Sequence, residues 1–464
     1  MVRERRPAAR PRRTVTGRED AELRPNYRVL GVYLLGVFIG ALDTGILSPA
    51  FPVIARSFHV SLAWMAWSVT SYTVTYVAAT VLAGSAGDRH GRRALFLTGV
   101  ALFGVASLLA AVSHSFGLFL LARAVQGLGA GAVYPNAQAE GTRLFPPERH
   151  GMALGMFGAV FGVATIIGPN LGGALAQYLG WPFIFLVNVP IAAAVLALGA
   201  RLPQSERSQR PAPDFQAGVG FAIFLGLALV SLDDRGVVRL LTLALAALAL
   251  VFFVMRERRP VGRPFLDPHA LRGVPGVALV VGAALVGLDM SAAIFVPTLA
   301  QETLHLSVLD SGVALMPAAF SGAVLAGVGG VMSDRVGARA VLETGLAFGV
   351  VGGVLLALPH LTLLRFILAM LAFGVSTAFT MGAPLNRLAL HLYHAEQAGE
   401  ALAAVAVFRS VGLAAGPVLL TLALGWHRFS GMFGLVALAS LAGVVAFLFV
   451  PTGGVRREVA QEVS

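Results

Sequence analysis

Long apolar runs, each closed by charge, proline or glycine, occupy most of this chain. They lie near 29–51, 62–84, 94–113, 116–138, 151–177, 182–200, 216–232, 237–255, 273–297, 309–332, 340–358, 361–385, 399–424 and 429–450. An α-helix rises about 1.5 Å per residue, so about 20 mostly apolar residues cross the hydrocarbon core of a bilayer. The runs therefore predict fourteen transmembrane helices and an all-α polytopic membrane protein. Polar residues gather between them, above all in 1–28, 201–215, 256–272 and 451–464.

Composition agrees. Of 464 residues, 57% are hydrophobic and 12% charged, whereas soluble domains are about 45–50% apolar. A water-soluble surface cannot be built from so few polar residues; a bilayer hides the excess. Cysteine is absent, which excludes disulfides, thiol nucleophiles and thiolate metal sites. Lysine is absent too, so no Walker-type phosphate loop can form. The ten histidines are scattered, with no His-x3-His pair on a run. Neither an enzyme nor a metal or other cofactor is expected.

The net charge of +11 would suggest nucleic acid for a soluble chain. Here its placement argues for membrane orientation instead, and no nucleic-acid partner is expected. With the N-terminus inside, nearly all arginines outside the runs fall in inside loops, and only Arg56, Arg235, Arg239 and Arg428 fall outside. Cytoplasmic loops carry such an excess, so both termini are expected in the cytoplasm. Residues 1–28 form a basic tail able to meet anionic lipid headgroups.

An internal repeat organises the runs. Gly84-Ser-Ala-Gly-Asp88-Arg89-His-Gly91-Arg92-Arg93 returns as Gly330-Val-Met-Ser-Asp334-Arg335-Val-Gly337-Ala-Arg339, 246 positions later. The same offset carries Leu42-Asp43 onto Leu288-Asp289, His59 onto His305 and Ser61 onto Ser307; Gly168-Pro169 returns as Gly416-Pro417 at a nearby offset of 248. The expected organisation is a six-helix bundle over 29–200 and a second over 273–450. Between them, 201–272 is a linker carrying two extra helices, and 451–464 is a cytoplasmic tail. Paired bundles facing a midplane site are the architecture of secondary transporters.

The motifs also resemble a known family. The Gly-x-x-x-Asp-Arg-x-Gly-x-Arg loop is similar to the signature of the major facilitator superfamily. Leu42-Asp43-Thr-Gly-Ile-Leu-Ser-Pro-Ala-Phe-Pro52, Leu121-Ala-Arg123-Ala-Val-Gln126-Gly127-Leu-Gly129 and Gly162-x5-Gly168-Pro169-x2-Gly172-Gly173 resemble motifs of its 14-helix drug:proton antiporter branch. The first departs from that branch at Gly45, Ser48 and Pro49. Pro182 stands where the branch usually has an arginine.

Charges inside apolar runs are costly and so mark function. Asp43 lies deep in the first run, where burial favours its neutral form, as suits a proton carrier. Arg123 in the fourth run cannot deprotonate in practice and is placed to pair with Asp43 in one state of a cycle; the resemblance implies coupling as well. Asp289, the repeat of Asp43, is either a second proton site or an anchor for a cationic substrate. Gln126, one turn from Arg123, is expected beside the substrate with Tyr72, Tyr76 and Arg409, although Arg409 could also sit near the inner end.

Gly84, Asp88, Arg89, Gly91, Arg92, Arg93, Asp334 and Arg335 read as a conformational gate, with Glu140 as a further ionic partner. The resemblance implies that such contacts lock an outward-open state; loops of this charge also set topology. Gly162, Gly168, Pro169, Gly172 and Gly173 are expected to bring helix backbones together, and the resemblance implies that this element seals the pathway. The expected function is proton-coupled export of amphipathic, cationic drugs or toxic compounds by alternating access. The resemblance places it in a bacterial cytoplasmic (inner) membrane, and a monomer is expected. Its partners would be a small-molecule substrate, protons and the lipid bilayer. A dedicated proton-coupled exporter of a metabolite, lipid or peptide is the alternative, left open by Gly45, Ser48 and Pro49. A non-transporting scaffold or sensor is the rival from another class, and it leaves the buried charges without a purpose.

Overall fold

A computed structural model of the chain describes residues 26–146, 149–204, 214–233, 236–259, 273–381, 383–393 and 398–451. The tails expected over 1–28 and 451–464 lie almost wholly outside the described residues, as do 205–213 and 260–272 of the linker. Every described element is helical. The first part of the chain forms α1 (Tyr27–Ile46), α2 (Phe51–Ser57), α3 (Leu62–His90), α4 (Arg92–Ala111), α5 (Phe116–Arg143), α6 (His150–Tyr178), α7 (Phe183–Leu186) and α8 (Asn188–Gly199). Then come α9 (Phe215–Asp233) and α10 (Gly236–Arg258). The last part forms α11 (Gly273–Ser291), α12 (Val296–Thr303), α13 (Val308–Val313), α14 (Met316–Arg335), α15 (Ala338–Ala357), α16 (Leu363–Thr380), α17 (Ala383–Leu392), α18 (Ala398–His427) and α19 (Phe429–Leu448).

Twelve helical segments among the described residues are long and apolar enough to cross a membrane, two fewer than the fourteen runs predict. The run at 62–84 is continuous within α3 but diluted by Ser68, Thr70, Ser71, Thr73 and Thr75. The run at 182–200 breaks at Val187 into α7 and α8. Pro190 causes the break, since it has no N–H for the Leu186 carbonyl and its ring crowds that oxygen.

The repeat has a backbone counterpart. Gly91 and Gly337 take φ of 101° and 93° and stand at the N-cap of α4 and α15 in the same way. His59 and His305 share φ of 55° and 54°. Ser61 and Ser307 then cap the following helices, accepting from Trp64 N at 3.2 Å and Asp310 N at 3.0 Å. Left-handed φ is uncommon outside glycine, so its recurrence at one register position reflects a repeated loop.

Helices α1 and α3–α8 pack on one another, and α11–α19 do likewise. At the centre of the first set, a methyl group added to Gly99 of α4 would lie 2.7 Å from the Gly129 carbonyl of α5. Small residues permit this approach, as at interfaces inside membranes. Helices α9 and α10 form a hairpin closed by Asp214, which accepts from Gln216 N at 2.9 Å and from Arg256 Nη2 at 2.5 Å. Leu240, Leu241, Leu248 and Met255 of α10 are exposed, as are Phe320, Val324, Val328 and Val331 of α14. Apolar faces of this kind are what acyl chains cover.

The two sets are welded at the end remote from the tails. Phe51 and Phe295 meet edge to face at 5.4 Å, Gln301 donates to the Pro49 carbonyl at 2.8 Å, and Leu309 N donates to Gln177 Oε1 at 2.9 Å. A methyl on Gly173 of α6 would lie 2.9 Å from Leu309 Cα, and one on Gly172 would strike the Ile46 carbonyl. Beside this weld α6 and α14 flank an apolar cleft lined by Ile166, Met316, Pro317, Phe320 and Leu371. At the tail end, four ion pairs each lie within one set: Asp88–Arg92, Glu140–Arg143, Asp334–Arg387 and Glu343–Arg339. Gly173→Val should destabilise the protein by about 1–3 kcal/mol through overpacking against α13. Gly162→Ala, whose added methyl meets nothing within 4 Å, should leave the melting temperature of the detergent-purified chain unchanged. Equal melting temperatures for the two variants would contradict the weld.

Candidate functional site

Asp43 is the seventeenth residue of α1, about 24 Å along its axis, and it is 0% exposed. Arg123 of α5, 2% exposed, meets it with Nη1 at 2.6 Å from Oδ2. Burying two charges costs several kcal/mol per ion unless the remaining polar atoms are satisfied, and most of those of Arg123 are. Its Nη1 also donates to Gln126 Oε1 at 2.8 Å, and its Nε donates to the Ser68 carbonyl at 3.2 Å. Gln126 Nε2 donates in turn to Ser107 Oγ of α4 at 2.8 Å, and Ser107 donates to the Phe103 carbonyl at 2.8 Å. The Tyr72 ring lies 4.6 Å below the guanidinium and the Phe185 ring 5.8 Å away, both within cation–π range. Two atoms are left over: Asp43 Oδ1 and Ser68 Oγ are buried with no hydrogen-bond partner.

Aromatic rings close this site toward the welded end. Phe119, one turn before Arg123, packs on Phe58 at 5.3 Å, Phe185 at 5.5 Å and Trp181 at 5.9 Å. Trp181 and Phe185 lie on either side of Pro182, the position where the branch usually has an arginine.

Asp289 holds the same place in α11 but not the same surroundings. It is 3% exposed and accepts from Ser376 Oγ of α16 at 3.0 Å and Ser440 Oγ of α19 at 2.8 Å. A methyl on Gly349 of α15 would come within 2.8 Å of its Oδ1. No arginine reaches it among the described residues. It therefore lies inside the second set of helices, held by two hydroxyls.

The residues expected beside a substrate divide. Gln126 is fully buried in the Arg123 network, and Tyr72 is buried beneath the guanidinium; neither lines open space. Tyr76 stacks on Tyr72 at 6.1 Å and is half-buried. Arg409 of α18 is half-buried, within electrostatic reach of the Tyr76 and Tyr134 hydroxyls. Its position is well inside α18 rather than at the helix end.

The expected gate is assembled only in part. Asp88 pairs with Arg92 at 2.6 Å. Glu140 pairs with Arg143 at 3.2 Å and not with Arg92, because Arg143 lies one turn away on the same helix. Arg93 donates to the Ala200 carbonyl at 2.8 Å, while Arg89 and Arg335 are exposed. Asp334 pairs with Arg387 of α17. The close helix approach in this loop falls at Gly87, where a methyl would strike Asn136 Oδ1, whereas one on Gly84 has 3.7 Å of clearance from Pro135.

In the α6 motif, Gly168 and Pro169 pack against Gly45 of α1, Gly172 against Ile46 and Gly173 against Leu309. Gly162 faces open space and brings no backbone close. This contact also accounts for one departure in the first run, Gly45. Gly45 gives room to Pro169, Ser48 donates back to the Gly45 carbonyl at 3.0 Å, and the Pro49 carbonyl receives Gln301. Sequence reasoning missed Ser68, Ser107, Ser376, Ser440 and Phe185. A serine within an apolar run carries no signal of which neighbouring helix it will meet.

Comparison with known proteins fits this arrangement. The profile of the Major Facilitator Superfamily matches residues 33–417 and again 279–463. The chain belongs to the Major Facilitator Superfamily. It is a multi-span membrane transporter of small molecules and not an enzyme. It is 33% identical over 411 residues to the puromycin resistance protein of Streptomyces alboniger, spanning 84% of this chain and 80% of that protein. It is 33% identical over 321 residues to the tetracenomycin C resistance and export protein of Streptomyces glaucescens, spanning 67% of this chain and 60% of that protein. A crystal structure of a D-xylose-proton symporter superposes with a TM-score of 0.66 at 16% identity, over 92% of this chain and 99% of that one; that likeness concerns the fold.

Arg123→Gln should destabilise the protein by roughly 3–5 kcal/mol, because it strands a buried carboxylate. Adding Asp43→Asn should recover much of that loss. A double-mutant cycle on thermal unfolding measures the coupling, and additive losses would mean that the pair contributes no coupling.

Proposed function

We propose that this major facilitator chain is a proton-coupled exporter of amphipathic compounds that works by alternating access in a bacterial cytoplasmic membrane. In this reading all fourteen apolar runs cross the bilayer, both termini are cytoplasmic, and the bundles 29–200 and 273–450 rock about the midplane. The carrying observation is the buried Asp43–Arg123 pair with its unpartnered Oδ1. A proton arriving at that oxygen cancels the carboxylate charge, and with it the attraction that ties α1 to α5. Arg123 keeps Gln126 and the Ser68 carbonyl, so its guanidinium stays buried while α1 is released. Asp289, held by two serines that can also accept a hydrogen bond from a protonated carboxyl, is the second carboxylate of the cycle.

The contact pattern supports the direction of opening. Besides the seam of α3 against α18, where Thr70 donates to the Ala414 carbonyl at 2.9 Å, cross-set contacts gather at the end remote from the tails, and the loop ion pairs at the tail end lie within one set. With cytoplasmic tails, this is the state that faces the cytoplasm, and closing that end would require Asp88, Asp334 and their neighbours to change partners. The resistance and export functions named for two relatives support outward transport.

Two experiments test the reading. In pump-deficient bacteria, wild type should raise the inhibitory concentrations of part of a panel of amphipathic antibiotics. Asp43→Asn at equal expression should abolish that gain, and a protonophore should stop efflux from preloaded wild-type cells. Resistance that survives Asp43→Asn would remove Asp43 as the proton site. Because the chain lacks cysteine, the pair Gln177→Cys and Leu309→Cys can be cross-linked cleanly in membranes. It should react readily in the resting protein, while Arg89→Cys with Arg335→Cys should not; the reverse pattern would place the resting opening at the other end.

A further inference from the structure

We infer that Arg409, facing Tyr76 and Tyr134 across the junction of the two sets of helices, is the recognition point for an acidic group on the cargo, so that the transported class is aromatic amphiphiles bearing a carboxylate, phenolate or sulfonate. The inference rests on the transport reading above and replaces the expectation of a cationic cargo.

Arg409 lies eleven residues into α18, about 17 Å from its start. Its carbonyl is pressed on Gly287 of α11, which fixes where the side chain begins. Among the described residues it has no ion pair and no hydrogen bond, and its guanidinium nitrogens are not among the sealed unpartnered atoms, so open space reaches them. An arginine at this depth without a counter-charge is costly, and an anion arriving in that space relieves the cost. A guanidinium offers paired N–H donors matched to such a group. Nor does the fold require the charge: in the register of Gly168-Pro169 and Gly416-Pro417 the repeat position is Phe161, an apolar residue.

The surroundings suit an aromatic acid. Tyr76 brings a ring already stacked on Tyr72. Tyr134 packs edge to face on Phe161 at 5.5 Å, and its hydroxyl receives Gln138 Nε2 at 3.3 Å, leaving its own proton to donate. The two deep carboxylates, by contrast, are already taken. Asp43 is held by Arg123 and Asp289 by Ser376 and Ser440, and neither is more than 3% exposed. Of these three deep charges, the one without a partner among the described residues is therefore positive.

The test uses the full-length chain in nanodiscs and two xanthene dyes of opposite charge, fluorescein and rhodamine 6G, with binding read by fluorescence anisotropy. Wild type should bind fluorescein about tenfold more tightly than rhodamine 6G, the scale of one charge-assisted contact. Arg409→Gln should remove that preference while leaving rhodamine binding within about twofold, and Arg409→Lys should keep most of it. Equal or reversed preference in wild type, or no binding of either dye, overturns the inference without any variant. Fluorescein affinity unchanged in Arg409→Gln overturns it as well. No proton gradient is applied, so a failed dye preference leaves the Asp43→Asn efflux result standing, and a failed efflux result leaves the dye preference readable.

Discussion

The ion pair between Asp43 and Arg123 is the constraint around which the first half of the molecule is arranged. Two opposite charges withdrawn from water are tolerable only if nearly every donor and acceptor finds a partner. Ser68, Gln126 and Ser107 do that work, and the Tyr72 and Phe185 rings lie beside the cation. The requirement draws α1, α3, α4 and α5 to one point. It also explains why α5 carries so many glycines there, since helices that must share a small polar cluster need backbones in near contact.

The packing of α6 supplies the second constraint. Its later part presents glycine to α1 and to α13 at once, joining the two sets at one end, while its earlier glycines face open space. One helix is therefore both weld and wall. A membrane interior offers no hydrophobic drive for helix association, so such backbone contacts, with hydrogen bonds like that of Gln301 to Pro49, are what hold the closed end together.

Symmetry is kept in the loops and lost at the charges. His59 and His305, Ser61 and Ser307, and Gly91 and Gly337 reproduce one another in conformation or capping. Asp43 and Asp289 do not: one faces arginine and the other two serines. Arg409 has the apolar Phe161 as its counterpart. Turns recur because any such bundle needs them, whereas the charges meet different neighbours in the two halves.

Much of this was legible in the residues. Apolar length and arginine placement identified a multi-span membrane protein, and the offset of 246 identified the repeat. Membrane burial makes a lone aspartate or arginine conspicuous, so Asp43, Arg123, Asp289 and Arg409 stood out before any contact was known. Helix count was less secure, since serines and threonines dilute α3 and Pro190 interrupts α7 and α8. Which helix meets which was beyond the pattern. Periodicity orders residues along one helix but says nothing of the rotation that brings Ser107 to Gln126 or Ser440 to Asp289. The sequence by itself determined that charges lie in the membrane. Only the tertiary structure decided that Asp43 is paired, that Asp289 is enclosed by hydroxyls and that Arg409 is left open, because pairing depends on how separate helices turn toward one another.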